Sequence, residues 1–181
     1  MLLTVLTIVL LADITTGLGH WLEDAYCRRG IGGWLGTQVC DPNLKHHEDQ
    51  YDFAKGSFIQ RNYTTWLIAG SVALFAVAVG WYAIAAIACI AAMGNEVHAW
   101  SHRKPSHWFP RLLQECAIVQ TPQQHAKHHR TPYTTHYCTL TNLCNPILDR
   151  LRVWRLLERG IEVVTTIPPN HRRLSHAATN H

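Results

Sequence analysis

Apolar and polar positions fall in long blocks along this chain rather than in the two-residue alternation of strands. Residues 1–19 are apolar apart from four threonines and Asp13, which is roughly 28 Å of helix at 1.5 Å per residue, one membrane span. Residues 62–95 contain no Asp, Glu, Lys or Arg. As a single helix that stretch would run about 50 Å, far beyond a ~30 Å hydrocarbon core. Divided near Gly80-Trp81, it makes two helices at the short end of spanning length. The pattern therefore predicts spans at about 1–19, 62–79 and 81–97, the last two as a hairpin.

After Arg103 the pattern turns amphipathic. Trp108, Phe109, Leu112, Leu113, Cys116 and Ala117 recur at helical spacing, with Arg111, Gln114 and Glu115 on the other face. Thr121-Pro122 and Asn145-Pro146 read as helix starts. From Pro146 one helix is expected, with Ile147, Leu148, Leu151, Trp154, Leu157 and Ile161 on one stripe. Arg150, Arg152, Arg155 and Arg159 line much of the rest, which suits an anionic lipid surface. The predicted fold class is an all-α integral membrane protein of about three transmembrane helices, a single span plus a helical hairpin, with a His-rich helical cap on the cytosolic face. One domain covers 1–165, its cap formed by 20–61 and 98–165, and 166–181 is expected to be a flexible tail.

Composition sharpens this picture. A length of 181 residues suits one compact domain or a small membrane bundle. Charged residues are 15% of the chain, against about 25% in soluble domains. The first segment lacks the basic start and small-x-small cleavage site of a signal peptide, so it reads as a span. All sixteen cations fall between 28 and 61 or between 103 and 173. A hairpin returns both blocks to one face, which the positive-inside rule assigns to the cytosol. The formal charge of +4 is thereby explained by membrane orientation, and no nucleic-acid partner is implied. The host membrane (endoplasmic reticulum, plastid or bacterial inner membrane) depends on the source. Six cysteines without a CxxC pair exclude a disulfide scaffold, a zinc ribbon and a thioredoxin-like site, and suggest a reducing compartment. Gly70, Ala73, Ala76, Ala83 and Ala86 suit close helix packing more than a tunnel lining.

The thirteen histidines outnumber the twelve acids. His98 and His102 stand at i, i+4, His125, His128 and His129 at i, i+3, i+4, and His46-His47 are adjacent. His20 and Asp24 are again i, i+4. Helical spacing puts such residues on one face, and the hairpin brings the four clusters to one side of the membrane. Eight imidazoles without thiolates suit two metals of borderline softness. Asp13, Asp24 and Glu96 are candidate ligands or acceptors that fix imidazole tautomers. Asp13 lies inside a span, where a carboxylate marks function by default. His136 is either an auxiliary group or a surface histidine, while His107, His171, His176 and His181 read as solvated.

LADITTGLGHWLED (11–24), HH (46–47) with SFIQRN (57–62), GNEVHAWSH (94–102), and TPQQHAKHHRTPY through HYCTLTN to NPILDRLRVWRLLE (121–158) resemble the Kua-type lipid desaturases. This group includes plasmanylethanolamine desaturase and the plant plastid palmitate desaturase acting on phosphatidylglycerol. The resemblance implies a di-iron centre held by His20, His46, His47, His98, His102, His125, His128 and His129. It further implies O2 as co-substrate, a phospholipid substrate in the bilayer, and an external electron donor of the cytochrome b5 or ferredoxin kind. Two other readings fit the spacing: a lipid hydroxylase with the same machinery, and a non-catalytic metal-binding or metal-transporting membrane protein.

Overall fold

The computed structural model describes residues 1–103 and 107–173, and among these every regular element is helical. Helix α1, Leu2–Tyr26, is unbroken. At 25 residues it reaches about 37 Å, so its final turns, with His20 and Asp24, extend past the expected span boundary at 19. Short α2 (Gly33–Leu35) and a π-turn (Gly36–Cys40) lead into α3 (Asp41–Glu48) and α4 (Gln50–Lys55). A Cys27–Cys40 disulfide ties the end of α1 to the start of α3. That bond departs from the expectation of reduced thiols, and a spacing of thirteen residues gave no sign of it. Closing a loop of this size stabilises by about 3 kcal/mol.

Helix α5, Phe58–Ala78, starts at a capping box in which Ser57 Oγ accepts from the Gln60 backbone and Gln60 Oε1 from Ser57 N–H. The chain reverses at Gly80, whose φ of +79° is open to glycine at no steric cost, and returns as α6, Tyr82–Ala91. The hairpin is where the uncharged block predicts it. Its contact is made by Ala73, Ala76, Ala85 and Ala88; Ala83 faces outward. After a turn at 92–93 the helix resumes as α7, Gly94–His102. The crossing of α7 over α1 is close: a Cβ on Gly94 would stand 2.8 Å from Thr16 Cγ2. Among the described residues two helices, Leu2–Tyr26 and the combined Tyr82–His102, are long and apolar enough to cross a membrane.

Next in the chain come α8 (Trp108–Glu115) and α9 (Pro122–His125). Thr121 caps α9 as expected, in a capping box with Gln124. Asn145 does not cap; its side chain is buried and bonds both N–H and C=O of Cys138. The single helix expected from Pro146 is two, α10 (Asn145–Arg150) and α11 (Val153–Thr165), broken where Arg152 takes φ +53°. The break turns Trp154 inward, 2% exposed, against Trp21 and Tyr137, while Ile147 and Leu151 stay exposed. The apolar stripe thus divides between core and surface. The chain to 173, expected as tail, folds back: Asn170 Nδ2 donates to the carbonyls of Asp24 and Cys27. The remainder of that expected tail lies outside the described residues.

Candidate metal centre

Adjacent helical residues point about 100° apart, which parts His46 from His47 on α3; His128 and His129, in the turn that follows α9, part as well. His46 joins His98, His102, His125 and His129, with one ligand atom from each within 4.8 Å of the others. His47 joins His20, Asp24 and His128 under the same limit. The i, i+4 pairs His98/His102 and His125/His129 stay together, whereas His46-His47 and His128-His129 are separated. The two groups abut, with His20 and His98 ring centroids 5.1 Å apart and those of His46 and His47 5.4 Å apart. All eight histidines are thus gathered, with Asp24 as a ninth donor.

The first group has lone pairs that nothing in the protein satisfies. Nε2 of His98 lies 3.0 Å from that of His102, His102 lies 2.9 Å from His125, and His125 lies 3.0 Å from His129. One N–H serves one acceptor, so three such contacts in sequence cannot all be hydrogen bonds. Imidazoles bound to one cation at about 2.1 Å and at right angles would stand about 3.0 Å apart, so the observed spacing fits ligands around a metal. Neither ring nitrogen of His46 has a partner, although the residue is 2% exposed. Burial, then the neighbouring imidazoles, push His46 and His125 far below the usual imidazole range and His129 down to about 2. These rings are therefore neutral at ordinary pH, the form that ligates metals.

The second group is oriented by its surroundings. His20 Nδ1 donates to the Tyr137 carbonyl at 3.2 Å and His128 Nδ1 to the Thr135 carbonyl at 2.8 Å. Both bonds aim Nε2 at the group, the usual arrangement behind ligating imidazoles. Asp24 stands among them, 2.8 Å from His47 Nε2, 3.2 Å from His128 Nε2 and 3.8 Å from His20 Nε2. Asn43 Nδ2 donates to it at 2.8 Å.

The other candidates lie elsewhere. Asp13 is fully buried, but its carboxylate accepts from N–H and Oγ1 of Thr141, pinning the 139–144 segment to α1. Glu96 is held by Arg61, Asn62 and Trp100, and His136 Nδ1 pairs with Asp149 at 2.9 Å. None of these three belongs to either group. His107 caps α8 through its Nδ1. His171, expected in solvent, is half-buried against Arg155 and Glu158; His176 and His181 lie outside the described residues. Sequence reasoning missed the Tyr137 and Thr135 carbonyls, because backbone acceptors leave no sequence signature. It also missed Glu23, one residue before Asp24, which lines the adjoining cavity.

That cavity has a volume of about 510 Å³ and runs between α1, α5 and α6. His20, His46 and His98 form one part of its wall, and Ile68, Ala69, Val72, Ala88 and Ala91 form another.

Comparison with known proteins agrees with this geometry. The chain is 26% identical over 169 residues to a plasmanylethanolamine desaturase of Myxococcus xanthus, covering 88% of this chain and 60% of that protein. It is 27% identical over 156 residues to fatty acid desaturase 4, chloroplastic, of Arabidopsis thaliana, covering 82% and 48%. To plasmanylethanolamine desaturase 1 of Mus musculus it is 25% identical over 178 residues, covering 88% and 64%. The chain thus spans about half to two-thirds of the length of these curated relatives. No solved structure matches it. The lipid desaturase domain model matches residues 9–172, and with that match the chain belongs to the lipid desaturase family.

Proposed function

We propose that this chain is a membrane-bound, oxygen-dependent di-iron desaturase that introduces a double bond into an acyl or ether-linked alkyl chain of a phospholipid; the Myxococcus relative is named a plasmanylethanolamine desaturase. The observation that carries this reading is the pair of abutting nitrogen-rich groups beside a cavity that has one apolar wall. His46, His98, His102, His125 and His129 would hold one iron, and His20, Asp24, His47 and His128 the other. Two irons, when bound, supply the dioxygen chemistry that removes hydrogen from an unactivated C–H bond, which side chains alone do not do. The protein contributes the rest. The carbonyls of Tyr137 and Thr135 fix the tautomers of His20 and His128, Asp24 supplies negative charge, and the apolar wall aligns the chain and excludes water. Forming one double bond releases two hydrogens, while reducing O2 to two waters takes four. Two electrons and two protons must therefore come from outside, which calls for a one-electron donor of the cytochrome b5 or ferredoxin kind.

In this reading α5 is a third span, and residues 1–165 form one desaturase domain with its cap on the cytosolic side. The cation bias supports that side, whereas a Cys27–Cys40 bond is the mark of an oxidising compartment. Because Cys116 is exposed at the end of α8, labelling in sealed vesicles decides between them. A membrane-impermeant maleimide is expected to reach Cys116 from the cytosolic side alone, and labelling from the opposite side reverses the orientation.

Detergent-purified protein loaded anaerobically is expected to hold about two irons per chain, and less than about one counts heavily against the proposal. With O2 and reductant, the lipid product is expected to lose two hydrogens in mass. A gain of one oxygen would instead assign a hydroxylase.

A further inference from the structure

A second hollow, of about 290 Å³, is walled by Arg152, Arg155 and Arg159 together with Thr135, Asp149 and Trp154. Its charges are unevenly compensated. Arg155 pairs with Glu158 at 2.7 Å. Asp149, also on the wall, accepts from Trp154 Nε1 at 3.1 Å and pairs with His136. Arg152 and Arg159 are exposed, and among the described residues neither guanidinium has an acidic partner. The hollow thus presents two free positive charges.

Beneath them the protein leads inward. Trp154 is buried and its ring meets Tyr137 edge-on at 5.1 Å. Tyr137, also buried, lies 5.2 Å from the His128 ring and 5.9 Å from the His20 ring. The wall residue Thr135 bonds His128 directly through its carbonyl. An unbroken line of aromatic contacts therefore joins this hollow to the second histidine group.

We propose that this hollow is the docking face for an acidic one-electron carrier protein, seated by Arg152 and Arg159 over the Trp154–Tyr137 stack. The inference rests on the desaturase reading, which requires two external electrons for each double bond. At each docking the carrier is oxidised by one electron and the metal pair is reduced by one, so two dockings serve one turnover. Charge complementarity selects the occupant, since positive faces steer acidic partners to encounter. Leu151 and Leu156 beside the arginines are exposed as well; what selects a carrier over a bilayer surface is that the depression is floored by the buried Trp154, whose ring contacts lead to the site.

The test uses the full chain, iron-loaded, carrying Arg152→Glu with Arg159→Glu, two residues outside both histidine groups. Pre-reduced acidic ferredoxin is the probe and dithionite the small-molecule control. Iron reduction by ferredoxin is expected to slow at least about tenfold at low salt. The wild-type rate is expected to fall with ionic strength, and the variant's to respond little. Ferredoxin binding to the immobilised protein, measured with and without iron, is expected to weaken in parallel, while iron content and dithionite reduction stay unchanged. Arg152→Gln with Arg159→Gln is expected to show the same selective loss to a smaller degree. Unchanged ferredoxin kinetics overturn the proposal, and so does an equal loss with dithionite, which would place the arginines' effect at the centre itself. If the variants lose only phosphatidylglycerol retained in the purified micelle, the face belongs to the lipid surface and the proposal is again overturned. Should neither reductant yield a desaturated lipid while ferredoxin still discriminates wild type from variant, the function reading fails and the docking face stands.

Discussion

Asp24→Asn is expected to halve the metal content, from about two irons per chain to about one, and to cut double-bond formation at least about a hundredfold, since losing even a partner of a metal ligand costs up to about that much. The reason is charge. Asp24 is the sole carboxylate in either group, and it lies within 3.8 Å of three imidazole nitrogens. Without it, a dication on that side would be met by three neutral rings in a buried setting, where uncompensated charge is expensive. Asparagine keeps the shape, so the Asn43 contact to Asp24 has a substitute acceptor and the fold is expected to persist. Metal analysis beside a circular dichroism spectrum checks this. Full iron content with full activity would remove Asp24 from the centre.

Glu96→Gln is expected to behave in the opposite way, unfolding the protein more easily without altering which atoms can bind metal. Glu96 and Arg61 are each 6% exposed, and Arg61 reaches both carboxylate oxygens, at 2.9 and 2.7 Å. Asn62 and Trp100 donate to the same group. This network fastens the start of α5 to α7, the helix that carries His98 and His102. Breaking a buried pair from one side leaves the other charge stranded, at about 3–5 kcal/mol, which is roughly 10 °C in melting midpoint for a chain of this size. The replacement of both partners in Arg61→Met with Glu96→Leu is expected to recover part of that loss. Thermal melts of the metal-free proteins provide the measurement. A Glu96→Gln protein that melts like wild type but loses iron would return Glu96 to the role of ligand or tautomer-fixing acceptor.

These two acids show how far local spacing can be read. Asp24 and Glu96 each stand near ligand-type histidines in sequence, but Asp24 is four residues after His20, on the same helical face, whereas Glu96 is two before His98, on a different one. Their fates differ also because Arg61, thirty-five residues before Glu96, arrives against one and not the other. Asp13 is similar: an acid in an apolar span is conspicuous, yet its partner Thr141 lies 128 residues away. The helix from Pro146 failed for another reason. Its stripe is continuous on paper, but a left-handed Arg152 interrupts it so that Trp154 can fill the core beneath the histidines.

By itself the sequence determined that the chain is helical, that charge-free blocks set its long helices, that it reverses at Gly80, and that eight histidines have ligand spacing. These features follow from local rules: the hydrophobic period, the length of charge-free runs, the 3.6-residue turn and the freedom of glycine at positive φ. Only the tertiary structure decided how four sequence clusters become two groups, which acid joins them, and which carbonyls orient the rings. It also decided that Cys27 meets Cys40 and that arginines of the last helices overlie Trp154. Those outcomes depend on where separate helices end relative to one another, and that is fixed by packing between residues far apart in the chain.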